Sequence, residues 1–266
     1  MADNASNRRQ KAAAARSVAE AGEKRRERMV RIVGAVVVLV VVVAIIAIAV
    51  FAKNAGSSSS DGTQPDAGAA IPATVLPSGD DHEFGVPVGT AGAGVPVLQI
   101  WEDFQCPACA AVEKANGSTI EQLAKEGKVQ LIWRPTTFLD KNLNNDSSER
   151  AVAAWGCAID GGKAVEFHNV VYANQPANEG DGFTDAALLG FGEQAGLSGD
   201  ALTAFQKCVT DGTYRTWGAN STNSFYQAGI PGTPTALLNG KEITTDVLAD
   251  PAKLAQAIAD LSLIHI

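Results

Sequence analysis

The longest apolar run lies near the start of the chain. From Ile32 to Ala52 the sequence reads IVGAVVVLVVVVAIIAIAVFA, twenty-one residues without a charge. At a rise of about 1.5 Å per residue such a helix spans the roughly 30 Å of a bilayer core. This pattern predicts a transmembrane helix. A cleaved signal peptide is the alternative, but the run exceeds the usual apolar core of about 7–15 residues and the segment before it is long. Past the run, KNAGSSSSDGTQPDAGAAIPA holds too little apolar content to pack, so residues 53–85 read as a flexible tether and domain lead-in. The packed head starts near Ile71.

Regular patterning begins at VPVLQIW, Val95 to Trp101, a short apolar run suited to a buried strand. ACAAVEKANGSTIEQLAKEGK then predicts a helix with Pro107 at its first position and an interruption near Asn116 and Gly117. KVQLIWRP, Lys128 to Pro135, alternates as a strand with Val129, Leu131 and Trp133 on one face. A strand, a helix and a strand in succession predict a parallel pair. From about residue 145 to 229 the pattern is helical, through SSERAVAAWGCAI, GKAVEFHNVVYANQ, TDAALLGFGEQAG and DALTAFQKCVTDG. GTPTALLNGKEIT follows as a hairpin turning at Asn239 and Gly240. The last helix starts with Asp250 as its cap and Pro251 as its first residue, and Leu254, Ile258 and Leu261 form the stripe that covers the sheet. The closing LSLIHI has no stop signal and resembles translated adapter sequence. Residues 262–266 are therefore a tail without function, and His265 is not a site.

Charge adds an orientation. Residues 1–31 carry nine Lys/Arg against four Asp/Glu, and residues 53–266 carry twelve against twenty-five. Arg25, Arg26, Arg28 and Arg31 precede the apolar run and only Lys53 closely follows it, so the N-terminal arm, a solvated and partly helical segment near anionic lipid, is expected in the cytoplasm and the head outside it. That compartment permits disulfides. An acidic head repels phosphate backbones, which argues against nucleic-acid binding.

The candidate chemistry lies in WEDFQCPACAAVE, Trp101 to Glu113, with Cys106 and Cys109 at the start of a helix. A C-x-x-C pair suits a metal clip, a structural staple or a reactive dithiol. Zinc needs about four ligands, whereas Cys157 and Cys208 stand in separate helical segments and His82, His168 and His265 are scattered; no metal and no cofactor is assigned. A staple of this size gains little from its short loop. The reactive reading accounts for the placement, because unpaired N–H groups and the positive end of the dipole favour a thiolate at a helix N-terminus. Cys106 is then the exposed nucleophile at the cap, and Cys109, one turn in, is the less accessible resolving thiol.

EDFQCPACAAVE after an apolar strand, a helical insert, then GIPGTPTALLNG and a final helix resemble the DsbA family of thiol-disulfide oxidoreductases, most of all its membrane-anchored Gram-positive members. The resemblance implies an α/β architecture, a thioredoxin fold over residues 86–261 carrying the inserted helices, preceded by the single transmembrane helix. It implies that Pro234 is the cis-proline opposite the cysteines, that the Thr233 backbone aligns an extended client, and that Pro107 and Ala108 between the cysteines tune the thiolate. It further implies oxidation of exported, cysteine-containing clients, with reoxidation by a membrane quinone reductase of the DsbB or vitamin K epoxide reductase-like type. Some Gram-positive relatives carry a second cysteine pair, so Cys157 and Cys208 are expected to form a structural disulfide, with free thiols or a second relay as the alternatives.

Two positions depart from the family pattern. Ala108 replaces the histidine of the most oxidising members, and Ile100 occupies a position where many relatives have a buried acid. Glu102 and Asp103 lie nearby, Asp103 being expected in surface solvation or a helix-start contact. A reductase or isomerase, and a non-catalytic module binding peptide or copper, are the rival functions.

Overall fold

The computed structural model describes residues 68–89, 92 and 94–262. The basic arm, the apolar segment 32–52, most of the tether and the last four residues lie outside the described residues. No helix among the described residues is long and apolar enough to cross a membrane.

Strand β1 (Val86–Val88) leads into β2 (Val97–Glu102), followed by helix α1 (Pro107–Val112), a π-helical turn (Glu113–Gly117) and α2 (Ser118–Lys125). The chain returns through β3 (Gln130–Pro135) and enters the helices α3 (Phe138–Leu143), α4 (Ser147–Asp160), α5 (Ala164–Ala173), α6 (Asp185–Gln194), α7 (Gly199–Asp211) and α8 (Arg215–Gln227). It closes with β4 (Thr235–Leu238), β5 (Lys241–Ile243), α9 (Thr245–Leu248) and α10 (Pro251–Ser262).

The sheet order is β1-β3-β2-β4-β5. β2 and β3 are parallel, as a strand-helix-strand unit requires, and the other neighbours are antiparallel. Ile100 lies opposite Trp133 on one side and Ala236 on the other. Five consecutive residues of β3 are buried, Ile132 and Arg134 as well as Leu131 and Trp133, so the one-sided strand expected from its alternation is covered on both faces. β1 carried no clear strand signal, being three residues long before a glycine-rich stretch.

The hairpin turns where expected: Asn239 and Gly240 both have positive φ, 49° and 75°, the requirement of a type I′ turn. Asn239 also accepts from the Val97 amide at 2.8 Å through Oδ1, fixing the turn to the start of β2. Asp250 caps α10 by accepting from the amides of Ala252 and Lys253, and Leu254 and Ile258 are buried beneath that helix.

α4 is the axis of the insert, with small residues Ala151, Ala154 and Ala158 buried where α5, α7 and α8 pack on it. A disulfide between Cys157 and Cys208 joins α4 to α7. Where the insert meets the sheet, Phe104, Trp133, Trp155, His168 and Tyr172 form an aromatic seam, Trp133 stacking on the His168 ring at 3.8 Å. Phe104, in the loop that leads to the cysteines, belongs to this seam.

Candidate active site

Cys106 is the N-cap of α1 and Pro107 its first residue. The missing N–H of proline costs nothing there. The register that sets Thr235 opposite Trp101 brings the preceding loop across the cap, where the Thr233–Pro234 peptide bond is cis. Cys106 Sγ lies 3.2 Å from the Thr233 carbonyl oxygen. Both flanks of this contact were legible in the sequence. Its consequence for access was not: covered by the Thr233 loop, Cys106 is 6% exposed rather than open at the cap. Pro107 and Ala108 are exposed, and neither side chain carries a hydrogen-bond donor.

The two sulfurs have opposite electrostatics. The Cys106 thiol is pulled down to about 6, first by a hydrogen bond from the Cys109 thiol, then by Thr233 and the backbone N–H groups of Cys109 and Ala108, against the opposing effect of burial. The Thr233 hydroxyl is buried without another partner and is available to donate to a thiolate. Thus the donors absent from the Pro107 and Ala108 side chains come from the backbone and from Thr233. Burial pushes the Cys109 thiol well above its usual range, assisted by the Cys106 contact and the charge of Glu102.

The polar residues before Cys106 are not solvated. Asp103 is fully buried and accepts from the Gln105 amide at 2.9 Å, the Ser148 hydroxyl at 2.5 Å and the Leu139 amide at 3.1 Å. This corrects the surface role expected for it and leaves the helix-start contact, at α3. Gln105 donates to Asp140, Asn145 and Ser148, so the EDFQ segment is tied to the helical insert. Gln175, just beyond α5, closes the frame by donating to the carbonyls of Phe104 at 2.8 Å and Cys106 at 3.0 Å. No pattern in the sequence singles out that glutamine.

A buried acid is present after all, two residues further along β2. Because side chains on a strand alternate, Glu102 shares the face of Ile100 while lying closer to the cysteines. Glu102 is 5% exposed and burial raises its carboxyl to about 8. Its Oε2 is 2.9 Å from His168 Nε2. The distance suits an ion pair, yet burial lowers the His168 pKa and raises that of Glu102, so the contact is a hydrogen bond between two neutral side chains. One oxygen or nitrogen atom from each of Glu102, Glu113 and His168 lies within 4.8 Å of the others, and burial together with the nearby Glu102 pushes the Glu113 carboxyl well above its usual range. Two buried carboxyls this close disfavour each other's ionisation.

Fold and site together define a DsbA-like thiol-disulfide oxidoreductase. The chain belongs to the thioredoxin family, whose model matches residues 85–260. Among solved structures it is similar to oxidised DsbA of Mycobacterium tuberculosis, at 27% identity and a TM-score of 0.56, covering 67% of this chain and 92% of that one. It is similar also to reduced DsbG of the same organism, at 27% identity and 0.56, covering 66% and 86%. MdbA of Actinomyces oris, a thiol-disulfide oxidoreductase, shares the fold at 23% identity and 0.60, covering 71% and 92%. A comparison with curated proteins gave no match.

Proposed function

We propose that this protein is an extracytoplasmic oxidase that introduces disulfides into exported proteins through a Cys106–Cys109 disulfide. The observation that carries this reading is the contrast between the two sulfurs. A Cys106 thiolate stabilised at neutral pH favours the reduced enzyme, and a stable reduced form makes the disulfide oxidising.

A client thiolate attacks Cys106 Sγ, the bond to Cys109 breaks, and its electron pair goes to Cys109. A second client thiolate then attacks the client sulfur of the mixed disulfide and expels the Cys106 thiolate. The client loses two electrons and the enzyme gains them. The Thr233 backbone beside the sulfur suits pairing with an extended client segment. The buried Cys109, whose thiol faces Cys106, suits attack on a mixed disulfide at Cys106 during reoxidation, for which a quinone reductase of the DsbB or vitamin K epoxide reductase-like type is the partner.

The apolar segment 32–52 and the arginines before it support a single-pass anchor with the N-terminus in the cytoplasm and the head outside. The Cys157–Cys208 disulfide fits the same oxidising compartment. The test is a glutathione redox titration of the Cys106–Cys109 pair. An oxidase has a potential well above the roughly −270 mV of thioredoxin, toward about −120 mV. A potential near that of thioredoxin would assign the reductase direction instead.

A further inference from the structure

Glu102 points from β2 to His168 of α5, so the two-residue period of the strand sets Gln99 and Trp101 on the opposite face of the sheet. Arg134 joins them, since it lies beside Trp101 in the parallel register of β2 and β3. Above these three, the end of α8 and the lead-in to β1 leave an open cavity of about 340 Å³. No group of the exchange site lines it.

Arg134 is held there on three sides. Its stem runs beneath Gly85, where a Cβ would stand 2.8 Å from Arg134 Cδ. The guanidinium carbon lies 4.1 Å from the centre of the Trp101 ring, and Nη1 donates to Gln99 Oε1 at 3.1 Å. The residue is 5% exposed, yet burial lowers its pKa only to about 10, and the charge persists at neutral pH. A buried charge ordinarily comes with a counter-ion. Arg134 lacks one: the arginine ion pairs among the described residues belong to Arg150 and Arg215, and Arg134 Nε is buried without a hydrogen-bond partner. Trp101 Nε1 is buried and unpaired as well.

The nearby acids act on Arg134 through space only, because their oxygens are engaged elsewhere. Glu83 accepts from the Gly79 amide at 3.0 Å and from the hydroxyls of Ser78 and Ser224 at 3.3 and 2.7 Å. Asp80 accepts from the His82 amide at 2.8 Å. A guanidinium locked in place with donors to spare suits a carboxylate or a phosphate. A plain anion, however, meets Asp80 and Asp81, which are exposed at the rim and repel it. Positive charge within and negative charge at the rim are complementary to a ligand that carries both signs.

We propose that this cavity binds a small zwitterion, its carboxylate or phosphate on Arg134 and its ammonium against Asp80 and Asp81. A free amino acid and the phosphoethanolamine headgroup of a lipid share that chemistry. Because Arg134 is already fixed, little ordering remains to oppose binding.

The test is titration calorimetry of the full chain in detergent with phosphoethanolamine and with glycine, using ethanolamine and inorganic phosphate as single-charge controls. At least one zwitterion should bind with a Kd below about 1 mM, and both controls should bind at least about tenfold more weakly. Tighter binding of phosphoethanolamine assigns the lipid headgroup as the source of the ligand, and tighter binding of glycine the free amino acid. Replacing the exposed Asp80 and Asp81 together by asparagine should weaken zwitterion binding by at least about tenfold, and Arg134→Gln should abolish it, with glutathione exchange at the native rate as the check on folding. Should Arg134→Gln fail to fold, the aspartate variant and the controls decide. Absence of binding by both zwitterions, phosphate or ethanolamine binding as tightly as they do, or unchanged binding in the aspartate variant would each overturn the proposal.

Discussion

The chain holds two cysteine pairs, and the fold treats them in opposite ways. Cys157 and Cys208, fifty-one residues apart, are bonded to each other across two helices of the insert, among apolar neighbours. Cys106 and Cys109 are free thiols at the junction of insert and sheet. All four are partly or wholly buried, so exposure does not separate the reactive pair from the inert one. The surroundings do: a helix N-terminus, the Thr233 loop and two buried carboxyls adjoin the first pair. Reactivity here is a property of neighbouring donors and charges, since thiolate stability controls exchange.

The strongest way to break this comparison is to remove one sulfur at a time. Cys106→Ser should abolish exchange completely with the fold retained. Cys109→Ser should accumulate mixed disulfides with clients, visible on non-reducing gels, because attack on Cys106 remains possible and internal resolution does not. Adducts at Cys157 or Cys208 in either variant would erase the distinction between the pairs.

Replacing Cys157 and Cys208 together by alanine tests the other half. In the chain-entropy model a loop of that size contributes roughly 4 kcal/mol, so the unfolding free energy from denaturation curves should fall by about 2–5 kcal/mol while the redox potential of the first pair is unchanged. A lost potential would show that the insert pair is part of the redox chemistry.

Legibility followed the same division. The cysteine motif, Pro107 at the first helical position, the parallel strand pair, the Asn239–Gly240 turn, the Asp250 cap and the pairing of Cys157 with Cys208 were readable because each depends on local chemistry or on a family pattern with fixed spacing. The burial of Cys106, the inward turn of Asp103 and the brace from Gln175 were not, because each depends on how the insert folds back over the loop. Glu102 is legible as well, since the two-residue period of β2 puts it on the face of Ile100. Glu113 carried a readable signal, a carboxyl four residues after the inner cysteine with glycine four residues further on.

A finer test of the donors is Thr233→Val, which keeps the side-chain shape and removes the hydroxyl. The Cys106 pKa should rise above about 6, giving several-fold less thiolate at pH 6, measured by the rate of alkylation. An unchanged rate would assign the stabilisation to Cys109 and the backbone alone. The smallest effect is expected from Ala108→His. Its side chain starts from an exposed position, so it should lower the Cys106 pKa and raise the potential by less than ~30 mV, the equivalent of ~1.4 kcal/mol in a two-electron couple. A fall in potential would contradict the account of the thiolate.

pH also distinguishes the redox forms. The Cys106 pKa is depressed in the folded reduced protein, so its contribution to stability is fully present above the unfolded value near 9 and is lost as pH falls through about 6. The oxidised form has no such thiol. The stability of reduced over oxidised protein should therefore grow between about pH 6 and pH 9, as read from denaturation midpoints of the two forms.

The central claim, that two cysteines one helical turn apart have opposite acidities, is tested most directly by thiolate absorbance of the reduced protein as a function of pH. The structure predicts one thiolate appearing with a midpoint near pH 6, absent from Cys106→Ser, and no second thiolate from Cys109 up to about pH 9. A midpoint close to the ordinary thiol value of ~8.5, or a first transition that survives in Cys106→Ser, would contradict it.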